Sequence, residues 1–279
     1  MPKVSVLTLT RNRTAQLKNL LEGLARSSRL PDECVVVHMN EAITPLGEWP
    51  FPCAQYRCDS TETKLPLPKA RNYAASQSSG DILLFLDVDC IPAREMVAAY
   101  ERACCQVPDN ITMGNVQYLR EGWSVDWQAD DPQGELQRQS APHPKRDISR
   151  MKTLQVEESY GLFWSLSFAL FRKTFERLGG FSPYYPSYGA EDTDFAWKAR
   201  GEGVTLHWVP DAVAFHQYHP SPVPPRHNFD SIVHNAKVFY KRWGEWPMES
   251  WLQVFADEGL IDWSIAGEDL KVLRSPVAS

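Results

Sequence analysis

Asp87 and Asp89 close the run Ile82-Leu-Leu-Phe-Leu-Asp-Val-Asp89, five apolar residues that end in two carboxylates one residue apart. Two hard oxygen ligands on a rigid strand end can hold Mg²⁺ or Mn²⁺, and such an ion commonly binds phosphates as well. Asp-x-Asp alone also caps helices and closes turns, so its weight rests on two further clusters. Glu191, Asp192 and Asp194 put three acids into four residues at the start of a predicted helix. A helix N-terminus favours carboxylates, but three exceed what a cap requires. A carboxylate held ionised by helix N–H groups accepts a proton from a substrate hydroxyl bound beside it. His216 ends a predicted strand, with His219 three residues later. A neutral imidazole near Asp87 and Asp89 completes a mixed oxygen and nitrogen site of the kind Mn²⁺ accepts.

The elements that must carry these residues follow from hydrophobic patterning. Residues 82–89 read as a strand buried on both faces, and in open α/β sheets ligands bind beyond the carboxyl ends of such strands. Lys3 to Thr10 and Cys34 to Met39 read as strands flanking an amphipathic helix, Thr14 to Ala25, with Leu17, Leu20, Leu21 and Leu24 on one face. A short strand at Gln55 to Cys58 and a helix at Lys69 to Gln77 lead into the Asp-x-Asp strand. Pro92 is expected to open a helix to about Gln106, and Ile111 to Leu119 to form a strand. Residues 120–150 lose apolar periodicity and read as a long mobile surface loop, a substrate lid in prospect. Strands at Leu162 to Phe171, Val204 to Trp208 and Ala212 to His216 and helices at Lys173 to Leu178 and Ala190 to Arg200 complete the sheet. Asn228 to Trp243 and Met248 to Glu258 read as closing helices.

Composition bounds the answer. At 279 residues, 43% hydrophobic and 23% charged, the chain is an ordinary globular protein able to bury a full core. A net charge of -6 provides no basic field, which counts against nucleic acid as a partner. No run approaches a membrane span and the N-terminus lacks a signal-peptide layout, so a cytoplasmic protein is expected. Six cysteines contain no C-x-x-C pair; Cys53 and Cys58 raise the question of a local disulfide or metal site, but small residues in a reducing compartment fit better.

Three segments in this order, LPKARNYAASQSSGDILLFLDVD, GGFSPYYPSYGAEDTDFAWKARGEG and VPDAVAFHQYHP, resemble glycosyltransferases of family 2 together with the C-terminal motif of the β-1,4-galactosyltransferase type. The resemblance covers roughly residues 3–220. It implies the GT-A fold, a Rossmann-like, mostly parallel central sheet flanked by helices. The domain spans 1–225, with a nucleotide-binding half (1–110) and an acceptor half (111–225), followed by a C-terminal helical extension (226–279). It further implies a metal-dependent, inverting transfer of sugar from a nucleotide-diphosphate donor to a hydroxyl of a glycan or other small acceptor. By position, Asp87, Asp89 and His216 match the metal shell, Mn²⁺ or Mg²⁺. Asp192 matches the catalytic base, and Glu191 is expected to contact sugar hydroxyls. Arg71 matches an arginine near the donor base and phosphates, Thr8, Thr10 and Arg11 lie where the nucleotide edge rests, and Tyr188 stands as an aromatic platform for a sugar ring. The chain departs from the family after its second strand. His38-Met39-Asn40-Glu41 replaces the usual carboxylate that reads the base, so base reading falls to Asn40, Glu41, His38 or the backbone, with UDP ranked above GDP.

Aromatic faces bind sugar rings as well as they fill cores. Trp123 and Trp127, in the predicted loop, are the acceptor candidates, whereas Trp164 and Trp197 suit core packing. Two other classes remain open: a transferase-like domain that binds nucleotide or glycan without turnover, and a nucleotidyltransferase. The latter generally carries a glycine-rich triphosphate loop near its first strand, and residues 8–16 contain no glycine.

Overall fold

The protein is described by a computed structural model covering residues 1–60, 64–220 and 223–276. Its strands are β1 (Val4–Thr10), β2 (Glu33–Met39), β3 (Cys53–Cys58), β4 (Ile82–Leu86), β5 (Cys90–Pro92), β6 (Ile111–Leu119), β7 (Ser140–Pro142), β8 (Gln155–Glu157), β9 (Ser167–Phe171), β10 (Leu206–His216), β11 (Ile261–Asp262) and β12 (Lys271–Val272). The helices are α1 (Thr14–Ala25), α2 (Leu67–Gln77), α3 (Met96–Gln106), α4 (Pro132–Arg138), α5 (Arg172–Arg177), α6 (Glu191–Gly201), α7 (Phe229–Trp243) and α8 (Glu249–Asp257).

One sheet runs in the order β3-β2-β1-β4-β9-β6-β10-β5, with β7 added to β6 and β8 to β10. The strands β1, β2, β3, β4, β6 and β10 point one way; β9 and the three-residue β5, β7 and β8 point the other. The alternation of side chains explains the unbroken apolar runs. Ile82, Leu84 and Leu86 enter a core shared with α1 and α3, while Leu83 and Phe85 enter a second core shared with α2, α5 and α6. Both faces of the sheet are therefore covered, as a βαβ architecture demands. The carboxyl ends of β1 and β4, the Asp87 to Asp89 turn and the end of β10 then converge on one edge.

Several expectations are revised. Pro92 does not open a helix: it closes β5, which pairs with the end of β10 as Pro92 against Ala214, Ile91 against Phe215 and Cys90 against His216. A residue without an N–H suits that edge strand, and the helix begins four residues later at Met96. Segment 120–150 is not structureless. Asp131 caps α4 by accepting from the Gly134 N–H at 2.8 Å, Pro132 occupies the first helical position, and β7 pairs with β6. The predicted strand 162–171 is shortened to Ser167–Phe171, preceded by a 3₁₀ turn at Tyr160–Leu162. The two short strands around 204–216 form one strand, β10, with a register shift between Val209 and Val213 where Pro210 interrupts the ladder. The C-terminal extension is not purely helical; after α8 it adds the β11–β12 hairpin and shares one apolar cluster that includes Phe229, Ile232, Leu252, Phe255 and Trp263. No helix among the described residues is long and apolar enough to cross a membrane. Cys53 and Cys58, like the other four cysteines, are free thiols.

Candidate functional site

The turn after β4 is fastened to the end of β10 twice. Cys90 pairs with His216 in the ladder, and the Asp89 carbonyl accepts from the Gln217 N–H at 2.7 Å. Asp89 is thereby brought beside both histidines, with His216 Nε2 at 3.5 Å from Oδ1 and His219 Nε2 at 3.4 Å from Oδ2. Potential ligand atoms of these three residues lie within 4.8 Å of one another. Arg13, just ahead of α1, adds a 3.1 Å ion pair to Oδ2. Burial pushes the Asp89 carboxyl up, yet the His219 contact, His216 and Arg13 outweigh it and hold it below the usual carboxylate range. Burial lowers His216, which is neutral at neutral pH and so free to ligate a metal. Tyr118 stacks on the His216 ring at 4.8 Å and fixes its plane. Asp89 Oδ1 is buried without a hydrogen-bond partner. A carboxylate with one orphaned oxygen and an imidazole beside each of its two oxygens is a donor set that fits a divalent ion.

Arg71, on α2, joins the two acidic motifs. Its guanidinium, 5% exposed, lies 3.9 Å from Asp87 Oδ1 and 3.3 Å from Glu191 Oε1, and packs over the Phe181 ring at 5.1 Å. Asp87 is half-buried and is not among the three converging metal-type ligands; its carboxyl is pushed up to about 7 by burial and by Asp89, Glu191 and Asp192, against the pull of Arg71. Glu191 is also pushed up to about 7, by burial first and Asp192 second. Its two oxygens are taken by Arg71 and by the Gly189 N–H at 2.7 Å, so Glu191 braces the site from inside rather than opening to a sugar hydroxyl. A carboxyl whose folded pKa lies above its unfolded value costs stability as pH rises from the unfolded value, near 4.5, to the folded one. Glu191→Gln is therefore expected to match the wild type in unfolding temperature below the unfolded value, near 4.5, and exceed it at pH 8. An unchanged slope between those pH values would remove Glu191 as the source.

Asp192 differs from its neighbour. It is half-buried, receives the Thr193 N–H on Oδ1 at 2.8 Å and is also bonded by the Ser165 backbone. Burial raises its pKa while Arg71 and those N–H groups pull it down, which leaves a carboxylate more basic than a free aspartate. Asp194, the third acid, is fully buried and structural: the Tyr185 hydroxyl, the Trp243 indole and Arg242 all bind it. Tyr188 is half-buried and stacked at 6.1 Å on Trp251 of α8.

The remaining predicted residues fall around this centre. Thr8 and Thr10 are buried at the end of β1, and the Thr8 hydroxyl has no hydrogen-bond partner. Arg11 is half-buried at the turn that follows. Asn40 adopts a left-handed backbone, φ 51°, and accepts from the Ser60 N–H at 2.6 Å, while His38 bonds Glu41 and Gln55. Trp123 and Trp127 do not stand free. They pack on Ile91, Leu119, Leu136 and Phe215, and Trp127 is tied to α1 through its indole on Asn19 and through Arg26 over its ring at 5.2 Å. Trp197 packs against two apolar clusters, as expected, whereas Trp164 is half-buried and meets His143 and Arg146 rather than the core. Sequence reasoning missed Arg13 and Arg146, and noted His219 beside His216 without giving it a role. His219 had a signal in its three-residue spacing from His216. Arg13 had none. Arg146 lay in a segment read as loop; its guanidinium is 6% exposed between Trp164 at 4.9 Å and Trp208 at 4.7 Å, with no hydrogen-bond partner. Two indole faces offset part of the cost of that buried charge.

Residues 147–220 match the profile described as the N-terminal domain of galactosyltransferase. No curated protein matches the chain. A crystal structure of GalNAc-T7 with UDP, GalNAc and Mn²⁺ superposes with a TM-score of 0.59 at 16% identity, over 87% of this chain and 51% of that one. The chain thus spans about half the length of that relative, and the likeness shows a shared GT-A fold. Residues 5–175 match the profile of glycosyl transferase family 2, more than half of the sequence, and the chain belongs to that glycosyltransferase family.

Proposed function

We propose that this protein transfers a sugar from a nucleoside-diphosphate donor, UDP-linked, to a hydroxyl of a glycan or other small acceptor, with inversion at the anomeric carbon. One observation carries the reading: Arg71 ties the Asp87 strand end, beside the Asp89, His216 and His219 cluster, to the helix that presents Asp192. A cation-type site for a diphosphate and a half-buried carboxylate thus belong to one structure. GalNAc-T7 in complex with UDP, GalNAc and Mn²⁺ shares the fold and supports UDP and Mn²⁺ here. Asp89, His216 and His219 would hold the ion, and two imidazoles favour Mn²⁺ over Mg²⁺, which prefers an all-oxygen shell. When bound, the ion neutralises charge on the diphosphate leaving group.

The chain's own groups do the rest. Asp192 accepts the acceptor hydroxyl proton, and its basicity, raised by burial, suits that role near neutral pH. Arg71 offsets part of the negative charge of Asp87 and Glu191 beside it. Tyr188 offers a ring against which a sugar stacks, and Thr8, Thr10, Arg11 and Asn40 border the nucleotide. Free thiols at all six cysteines support a reducing, cytoplasmic setting.

Thermal unfolding with UDP, GDP, CDP and dTDP, each with Mn²⁺ and with chelator, tests the donor. A nucleotide at 100 times its Kd is expected to add about 2.7 kcal/mol, seen for UDP with Mn²⁺ only. Product analysis with the matching nucleotide sugar should yield free nucleoside diphosphate and a glycoside of opposite anomeric configuration. A metal-dependent shift with GDP alone would replace the donor, and a product of retained configuration would end the inverting mechanism.

A further inference from the structure

We infer that Asn235 of α7 is a positioning residue for the sugar-transfer site, so that the C-terminal extension forms the back wall of that site. The inference rests on the reading of Asp192 and Tyr188 given above. The turn Ser187 to Ala190 carries Tyr188 on one side and launches α6, with Glu191 and Asp192, on the other. Its backbone is strained: Gly189 has φ 105° and Ala190, not a glycine, φ 63°. A left-handed alanine persists only where its surroundings hold it. What holds it is Asn235, fully buried, whose side-chain amide nitrogen donates to three consecutive carbonyls, Ser187 at 3.1 Å, Tyr188 at 3.2 Å and Gly189 at 2.7 Å. Only the NH₂ group can serve three carbonyls, which fixes the orientation of the amide; with two hydrogens available, at least one is shared.

The same face of α7 continues the attachment. Asn235 and Arg242 are seven residues apart, two helical turns, and Arg242 with Trp243 binds Asp194 of α6. A Cβ at Gly189 would meet Met248 Sδ at 3.3 Å and Ile232 Cγ1 at 3.4 Å, so the turn lies flat on the extension. Trp251 of α8 backs the Tyr188 ring. The catalytic turn is thus clamped to α7 at the carbonyls of the turn and at Asp194 of α6. An Asp192 displaced by about 1 Å would lose about 10²-fold in rate without touching the donor subsite.

Three variants and two readouts test this. Asn235→Ala removes the donor, Asn235→Leu removes it while keeping volume, and Leu260→Ala loosens the same C-terminal cluster away from the turn. Amide hydrogen exchange is measured at 187–193 and at 82–89, and kcat and KM for transfer are measured with Mn²⁺ present. Both Asn235 variants should exchange at least about tenfold faster at 187–193 with 82–89 unchanged, and lose about 10–100-fold in kcat with donor KM within about twofold. Leu260→Ala should leave both readouts near wild type at an equal loss of unfolding temperature. Wild-type exchange in Asn235→Leu, or equal losses in Leu260→Ala, would overturn the clamp. Accelerated exchange in a protein that shows no transfer with any donor would leave the clamp standing and reject the proposed function.

Discussion

Asp192→Asn is expected to lower sugar transfer by about 10²–10⁴-fold while nucleotide and metal binding stay within about twofold of the wild type. The substitution keeps the shape of the side chain and the oxygen that accepts the Thr193 N–H, and removes only the capacity to take a proton. Loss of fold is not the expected cause. Asp192 is one of the charges that push Asp87 and Glu191 up, so removing it relieves like-charge repulsion in a buried group of three carboxylates held by one arginine. The unfolding temperature at pH 8 should therefore be no lower than that of the wild type, which separates a catalytic defect from a structural one. The comparison variant is Glu191→Gln. Glu191 is engaged by Arg71 and Gly189, and its loss should alter stability with pH more than it alters rate. Near-normal turnover in Asp192→Asn, or a larger rate loss in Glu191→Gln, would transfer the base role away from Asp192.

The parts of this site that local sequence encodes were legible from it. The run 82–86 and residues 34–37 of β2 are apolar on both faces because helices cover both sides of the sheet, and their positions follow from that, whereas β1 and β6 are buried but mix in polar residues such as Thr8, Thr112 and Asn115. The leucine stripe at 17, 20, 21 and 24 places α1 to the residue. What was not legible depends on partners distant in sequence. Pro92 reads as a helix opener until β10 arrives beside it; β7 has three residues and exists only because β6 offers an edge. The α4 helix is seven residues long with no apolar stripe, and its signal was the cap and proline at 131 and 132 rather than periodicity. The same reason hid Arg13 from the site: its pairing with Asp89 spans 76 residues. Trp127 was expected to face a substrate because its neighbours in sequence are polar, whereas the apolar surface it covers is built by Ile91, Leu119 and Phe215.

The second large effect is expected at the histidines. His219→Ala should abolish the Mn²⁺-dependent part of nucleotide binding, with a loss larger than the roughly 10–100-fold typical of groups that only orient a ligand. Asp89→Ala should do the same, whereas Asp87→Asn should not, because the atoms that converge within 4.8 Å belong to Asp89, His216 and His219, and Asp87 is turned to Arg71. The physical distinction lies in what each group has to spare. Asp89 Oδ1 is buried and lacks a hydrogen bond, and His216 is held neutral by burial, so an arriving cation meets free lone pairs there. Asp87 already shares a guanidinium with Glu191 and would contribute charge at a distance. Calorimetric titration of Mn²⁺ into each variant, with and without UDP, is the measurement. Equal losses in Asp87→Asn and Asp89→Ala would mean that both carboxylates coordinate the ion. An unchanged affinity in His219→Ala would leave His216 and Asp89 as the ligands among the described residues and make His219 a contact of Asp89 alone.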